Sequence, residues 1–389
     1  MATTASLDTV RDLEPLIRRH ASSAEERRDM APEVMSALVD AGLFRMWIPK
    51  AYGGAEMEPN EALKIMEELA RIDGSTGWVV SNCVILAMFH QFLPSMVVKE
   101  LLGDPGTVPC GAFWPPGTAT ATDDGYVING NWSFGSATRF ATSLMALSVL
   151  ANDDGPVVDP SGSPVSVVTF FDRKDAKLLD TWHTLGLRAT GSTNFSVTNL
   201  AIPRDRSYVL GPWETTEGPF AGPLYRMGLI LDAVRIAQVG VGIAQGSLED
   251  FLALASVKTP AYTARVTADR ETVQDRVARA QALIQAARNT LRATVRDSWK
   301  AVQDGPRITG PTCVPMGLAA AFAIDASAQA LDLLYESSGS TAFRDECPLQ
   351  RRFRDLQTLR QNAVTSWSRY ESLGKIILGR PNDWPFHQL

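Results

Sequence analysis

Gly125-Tyr126-Val127-Ile128-Asn129-Gly130-Asn131-Trp132-Ser133-Phe134 decides how this chain divides. Apolar and polar residues alternate along it, which is the period of a strand with one buried face, and a glycine marks each bend. It reads as a hairpin. From Val108 to about Pro203 strand and turn patterns prevail. Val165 to Phe171 and Thr193 to Ile202 are further strands. Asn152 to Pro164 is rich in Asp, Gly, Pro and Ser and reads as a long exposed loop between them.

Both flanks of this region are helical. Upstream, Asp29 is placed to cap a helix that holds Pro32 in its first turn, and Gly42 is placed to end it. Asn60 can cap the next helix, striped by Ala62, Met66, Leu69 and Ile72. Gly74-Ser75-Thr76 starts a strongly apolar helix through His90. Downstream, long helices are read over Leu231 to Ala255, Arg270 to Val302, Pro315 to Gly339 and Leu349 to Leu378. Four such helices with short links suggest a bundle. The expected domains are 1–107 (helical), 108–218 (β) and 219–389 (helical bundle), an α+β chain that is mostly α.

Composition narrows the function. The chain has 389 residues, 45% hydrophobic and 21% charged, with a net charge of −6. No basic block favours nucleic acid. Met1 to Arg11 is polar, unlike a secretory leader. No uninterrupted apolar run reaches the ~18 residues of a membrane span. Cys83, Cys110, Cys313 and Cys347 lack paired metal spacing, and the four histidines are scattered, so neither a disulfide framework nor a metal site is expected. A reducing cytoplasm fits best.

Four segments carry a resemblance. They are Ala41-Gly42-Leu43-Phe44 through Tyr52-Gly53-Gly54 to Gly74-Ser75-Thr76-Gly77-Trp78; Gly130-Asn131-Trp132-Ser133-Phe134-Gly135-Ser136; Trp182-His183-Thr184-Leu185-Gly186-Leu187-Arg188-Ala189-Thr190-Gly191-Ser192; and Gly339 with Pro348-Leu349-Gln350-Arg351 and Arg354-Asp355. Together and in this order they resemble the acyl-CoA dehydrogenase superfamily over nearly the whole chain. Within it, the likeness is to the two-component flavin monooxygenases, the branch that includes the 4-hydroxyphenylacetate hydroxylase oxygenase component, a steroid-ring hydroxylase, dibenzothiophene monooxygenase and indole oxygenases. The resemblance implies a helical N-terminal domain, a central β-barrel domain and a C-terminal four-helix bundle, assembled as a homotetramer.

Trp132, Phe134 and Ser136 alternate, so they can share one strand face and offer aromatic surface and a hydroxyl to a flavin ring. Spacing alone favours a core stripe ending in a turn serine; the resemblance reverses this and implies that Ser136 sits beside flavin N5. Arg188, Thr190 and Ser192 also alternate. The family likeness puts them on the flavin and its phosphate, for which an arginine fork is suited, with a solvated surface hairpin as the alternative. Trp114 lies where the family's loop edges the flavin, or is a buried structural tryptophan. Gly339 belongs to the same expected cofactor set.

Dehydrogenases of the family remove a proton with a carboxylate shortly after an Arg-Asp pair. Here Arg354-Asp355 is followed by Leu356-Gln357-Thr358-Leu359-Arg360-Gln361-Asn362-Ala363-Val364, which contains none, so that base is missing. The related oxygenases usually carry histidine near Asn362, where it helps hold a flavin C4a-hydroperoxide. Asparagine can hydrogen-bond but does not titrate. Leu86 stands where phenol hydroxylases place a second, substrate-contacting histidine, and His90 follows one turn later. Both are expected pocket residues, although His90 also reads as the end of an apolar helix. An electron-rich substrate such as an indole, an amine or a sulfur heterocycle fits better than a phenol.

The resemblance therefore implies a monooxygenase that takes reduced flavin (FADH2 or FMNH2) from a separate NAD(P)H-dependent flavin reductase, with O2 as co-substrate and catalytic roles for Ser136 and Asn362. No Gly-x-Gly-x-x-Gly follows a strand to give the chain its own nicotinamide site. An acyl-CoA dehydrogenase-like desaturase and a non-catalytic flavoprotein are the alternatives.

Overall fold

The computed structural model describes residues 5–160, 162–211, 218–382 and 384. Met1 to Thr4 of the polar N-terminal stretch, and Ser161 of the 152–164 loop, lie outside the described residues.

The first part is helical: α1 (Leu7–Arg27), α2 (Pro32–Asp40), α3 (Pro59–Ile72), α4 (Gly74–Leu86) and α5 (Ser95–Leu102). Two expected caps fall elsewhere. Helix α2 starts at its proline behind Ala31, with no side-chain cap, because Pro32 presets the first helical φ and donates no N–H. Asp29 instead accepts from Met30 N and pairs with Arg139 at 2.8 Å. Asn60 sits inside the first turn of α3 and donates to Arg292 O. Asp73 caps α4, its Oδ2 accepting from Thr76 N at 2.8 Å. The helix read as running to His90 is α-helical only to Leu86, then tightens into a 3-10 segment, Ala87–Phe92.

The second part is one sheet: β1 (Cys110–Thr122), β2 (Gly125–Gly135), β3 (Ser143–Asn152), β4 (Gly155–Pro156), β5 (Ser166–Asp172), β6 (Lys177–Leu179), β7 (Thr193–Pro203) and β8 (Ser207–Val209). The order is β6-β7-β2-β1-β3-β5-β8, with β4 on β3; β1 and β3 run parallel and the other pairs antiparallel. Phe195 on β7 meets Phe171 on β5 at 6.4 Å although four places separate these strands, so the sheet curls around its core. The 125–134 stretch is not itself a hairpin. It is one strand, paired with β1 across a tight turn. Gly130 serves another purpose than bending: a Cβ there would meet the Trp132 ring at 2.5 Å, and one on Gly117 would meet it at 2.4 Å. Trp132 fills that space, fully buried, stacked on Phe195 and donating to Leu147 O at 2.6 Å.

The third part comprises α6 (Pro223–Arg226), α7 (Ile230–Val257), α8 (Glu271–Asp304), α9 (Val314–Ser338), α10 (Pro348–Leu359) and α11 (Ser368–Ile377). The single helix read over Leu349 to Leu378 is broken between α10 and α11. Asn362 Oδ1 accepts from Val364 N at 2.9 Å, and this local bond offers the backbone an alternative to the helix. Glu67 ties α3 to α8 by ion pairs to Arg288 (2.6 Å) and Arg292 (2.7 Å). The segment Gly310–Thr341 is long enough to cross a membrane and apolar enough by composition, but 67% of its 18-residue apolar window is buried, as a core helix of the bundle.

The loop after β6 docks on α10. Arg354 Nη1 donates to Leu185 O at 2.8 Å and pairs with Glu25, while Leu187 N donates to Asp355 Oδ1 at 2.6 Å. Gly186 permits the approach, since a Cβ there would lie 2.1 Å from Arg354 O. Burial pushes the Asp355 carboxyl up to about 7, and neighbouring Asp73 adds to the rise. Unfolded aspartate titrates near 3.9, so between roughly pH 4 and 7 the folded chain holds more protons and this group's contribution to stability falls as pH rises. Asp355→Asn keeps an acceptor for Leu187 N without the charge. Its melting temperature, relative to the natural protein, should therefore rise between pH 5 and pH 8, by an amount worth on the order of 2–4 kcal/mol. Thermal melts at the two pH values check this, and a constant difference would show that Asp355 does not titrate there.

Candidate functional site

At the end of β2 the backbone leaves the ladder. Phe134 and Ala137 take φ of 68° and 57°, and the β2–β7 register shifts between Trp132 and Gly135. This overturns the shared face expected for Trp132, Phe134 and Ser136. Trp132 points into the sheet core, Phe134 is 60% exposed, and Ser136 is buried under the turn. Trp132 is thus a core residue, while Phe134 and Trp114 (66% exposed) present aromatic rings outward. Trp114 pairs with Ser133 across β1 and β2, and the Phe134 ring meets Trp182 edge-on, centroids 6.3 Å apart.

Arg188 to Thr190 is not a strand either. It is one 3-10 turn, entered at Leu187 (φ 52°) and left at Gly191 (φ 54°). This turn and the one at Ser136 are stitched together by Ala137 N donating to Thr190 O at 3.0 Å. Between them lies a closed group of hydroxyls. Ser136 Oγ is 2.6 Å from Ser192 Oγ, which is 2.6 Å from Thr190 Oγ1, which donates to Leu187 O at 2.8 Å. All three side chains are at least 97% buried. Two segments 56 residues apart thus place Ser136, Thr190 and Ser192 in contact. Arg188, on the same turn, has a buried Nε with no hydrogen-bond partner.

Sequence reasoning missed one member. Trp78 on α4 donates its indole N–H to Ser136 Oγ at 3.0 Å. The signal was present in Gly74-Ser75-Thr76-Gly77-Trp78, because a partly buried tryptophan needs an acceptor for its N–H, and the apolar helix around it supplies few.

The remaining candidates fall into three places. Gly339 caps the end of α9 with a positive φ of 56°, beside Lys258 rather than beside the hydroxyl group. Leu86 is buried at the end of α4. His90 is buried against Phe170, ring centroids 4.6 Å apart, with Nδ1 3.2 Å from Ala87 O and Nε2 without a partner. A carbonyl only accepts, so Nδ1 carries the proton and Nε2 is a bare acceptor. Burial pulls the His90 pKa down to about 4, which keeps the ring neutral at ordinary pH. Asn362 spends its carbonyl oxygen on Val364 N.

The cysteines, scattered in sequence, are all buried and free, but Cys83 on α4 and Cys110 on β1 bring their sulfurs to 3.9 Å. Burial pushes the Cys110 thiol well up, so it stays protonated.

Residues 4–94 match the acyl-CoA dehydrogenase N-terminal domain, and residues 234–367 match the acyl-CoA dehydrogenase C-terminal domain. Indole-3-acetate monooxygenase of Pseudomonas putida is 28% identical, over 97% of this chain and 93% of that protein. The oxygenase subunit HsaA of a flavin-dependent monooxygenase, from Mycobacterium tuberculosis, is 29% identical over 96% of this chain and 95% of its own length. The crystal structure of the M. tuberculosis HsaA monooxygenase superposes with a TM-score of 0.87 at 27% identity, covering 98% of both chains. The two matched domains span more than half of the sequence and flank the curled sheet in the order that the fold shows, and the chain belongs to the acyl-CoA dehydrogenase family.

Proposed function

We propose that this chain is the oxygenase component of a two-component flavin-dependent monooxygenase. It takes FADH2 or FMNH2 from a separate NAD(P)H-dependent flavin reductase and uses O2 to oxygenate a small aromatic, indole-like heteroaromatic or amine substrate. The carrying observation is the buried Ser136–Ser192–Thr190 group, with the unpaired Nε of Arg188 on the same turn and the outward rings of Trp114 and Phe134 at the rim. These residues fit a flavin: two aromatic faces for an apolar ring, a hydroxyl for its polar edge and a guanidinium for its phosphate. Reduced flavin, when bound there, supplies the two electrons with which O2 is activated. Ser136 holds the ring edge, Ser192 and Thr190 hold Ser136, and the apolar rim excludes water. A homotetramer in the cytoplasm completes the reading, with exposed Trp367, Phe322 and Ile377 as part of the surface that subunits cover.

Leu86 and His90 form part of the substrate pocket. A neutral His90 and an untitratable Asn362 leave no base for a phenol. The bare Nε2 of His90 suits a substrate N–H. The desaturase reading is disfavoured because residues 356–364 carry no carboxylate.

Four outcomes check this reading. Protein mixed with photoreduced flavin, aerated in the presence of indole-type substrates, should consume O2 and form oxygenated product; bleaching of bound flavin by an acyl-CoA without a reductase would favour the desaturase instead. In the same assay Ser136→Ala should release more H2O2 per O2 consumed. It also strands the Trp78 N–H, so a stability loss of about 1–3 kcal/mol is expected alongside. Asn362→Asp keeps an oxygen for Val364 N but removes the amide donor, so its melting temperature should stay close to that of the natural protein while H2O2 leakage rises. Normal coupling in Asn362→Asp would reduce Asn362 to a turn residue. Light scattering should give four times the chain mass, and a monomer at working concentration would refute the assembly.

A further inference from the structure

The protons of the Ser136 group can be followed one by one. An indole nitrogen only donates, so Trp78 Nε1–H gives its hydrogen to Ser136 Oγ at 3.0 Å. At the far end a carbonyl only accepts, so Thr190 Oγ1–H is given to Leu187 O at 2.8 Å. Each hydroxyl has a single proton. Thr190 Oγ1, having donated its own, accepts from Ser192 at 2.6 Å, and Ser192 in turn accepts from Ser136 at 2.6 Å. The chain therefore runs one way, from Trp78 through Ser136, Ser192 and Thr190 to the Leu187 carbonyl. Its end is fixed, because Leu187 O also receives Trp182 Nε1–H at 3.0 Å and Leu187 N is held by Asp355. Ser136 has committed its proton and one lone pair, and one lone pair is left.

The starting end is fixed too. Arg235 is 3% exposed and lies over the Trp78 ring, 5.1 Å from its centroid. It is held by Asp232 at 2.7 Å and Asn82 at 3.1 Å. A buried cation against the ring face both anchors the indole and polarises its N–H.

We propose that the Leu187 carbonyl sets the direction of this chain and that Trp78 is a positioning residue which, by taking one lone pair of Ser136, aims the other, so that Ser136 meets a ligand as a hydrogen-bond acceptor and not as a donor. The inference rests on the reading that the flavin edge lies beside Ser136. Reduced flavin carries a hydrogen on N5, which such a lone pair accepts. Oxidised flavin has a bare N5, and two lone pairs then face each other. The committed proton of Ser136, with the remaining lone pair aimed by Trp78, thereby makes the site select the reduced form. Hydroxyl chains strengthen cooperatively when they run in one direction, so a break at either end is felt at Ser136.

The test measures binding, on the full chain, of reduced FMN and FAD under anaerobic conditions and of the oxidised forms separately. The natural protein should bind the reduced form more tightly. Ser192→Ala removes the acceptor of the Ser136 proton and frees that proton toward the ligand, so the preference for reduced flavin should fall by about tenfold, with oxidised flavin bound more tightly than before. Trp78→Phe should lower the preference by about fivefold, mainly by weakening reduced flavin. A readout without flavin accompanies these: in the 15N-labelled flavin-free protein, the indole N–H resonance that Trp78→Phe deletes should exchange slowly with solvent and shift in both Ser136→Ala and Ser192→Ala. If Trp78→Phe does not fold, Ser192→Ala and the resonance decide the matter. An unchanged preference in both variants overturns the role of Trp78 and leaves flavin binding standing. A natural protein that binds neither form overturns the flavin reading, and this inference with it.

Discussion

The hydrogen bond from Leu187 N to Asp355 Oδ1 (2.6 Å) fixes the geometry on which the site depends. Leu187 has a positive φ, which costs a side-chain-bearing residue on the order of 1 kcal/mol or more and persists only where surroundings enforce it. Four contacts enforce it here: Asp355 on its amide, Trp182 Nε1 and Thr190 on its carbonyl, and the seat of Gly186 against Arg354 O. The turn that follows carries Arg188, Thr190 and Ser192. The Arg-Asp pair that would precede a catalytic carboxylate in a dehydrogenase thus acts here as a clamp, and it joins the third resembling segment to the fourth.

The order of helices, sheet and bundle was legible because it rests on periodicity, and periodicity survives in a single sequence. Trp132 was readable as an apolar strand residue but not as the plug of the sheet, since its place depends on Gly117 and Gly130, one of them on another strand. The face shared by Trp132, Phe134 and Ser136 was misread because alternation holds only while the ladder holds. One positive φ at Phe134 ends it. The same cause turned Arg188 to Ser192 from a strand into a turn, yet Thr190 and Ser192 still meet, because residues two apart in such a turn converge as well. The break before α11 was hidden in Asn362, whose side-chain bond to Val364 N competes with a helix that the surrounding pattern favours.

Trp78 was out of reach for a different reason. Its partner, Ser136, is 58 residues away and in another domain, and nothing local tells which acceptor a partly buried indole will find. Its other neighbour, Arg235, comes from α7. The resembling segments could be recognised separately, but their contacts belong to the packing between domains. There the helical part, the curled sheet and the bundle each contribute one element to a single polar group.

This packing also decides what the site does near neutral pH. His90 is held neutral by burial, Asn362 does not titrate, and Ser136, Ser192 and Thr190 are hydroxyls far from ionising. Two carboxyls beside the turn are raised by burial toward neutral, Asp355 to about 7 and Asp29 to about 6; Asp355 touches the turn through a backbone amide, and Asp29 lies against Gly191 with its charge paired to Arg139. Chemistry that begins by removing a proton from carbon needs a base with access to substrate, and His90, Asn362 and the three hydroxyls provide none. Chemistry in which flavin and O2 supply the reactive oxygen needs instead a dry, fixed hydrogen-bond frame that does not exchange protons with water. A one-directional hydroxyl chain, closed by a partly buried indole at one end and a clamped carbonyl at the other, suits that requirement and supports the oxygenase reading more directly than any single residue does.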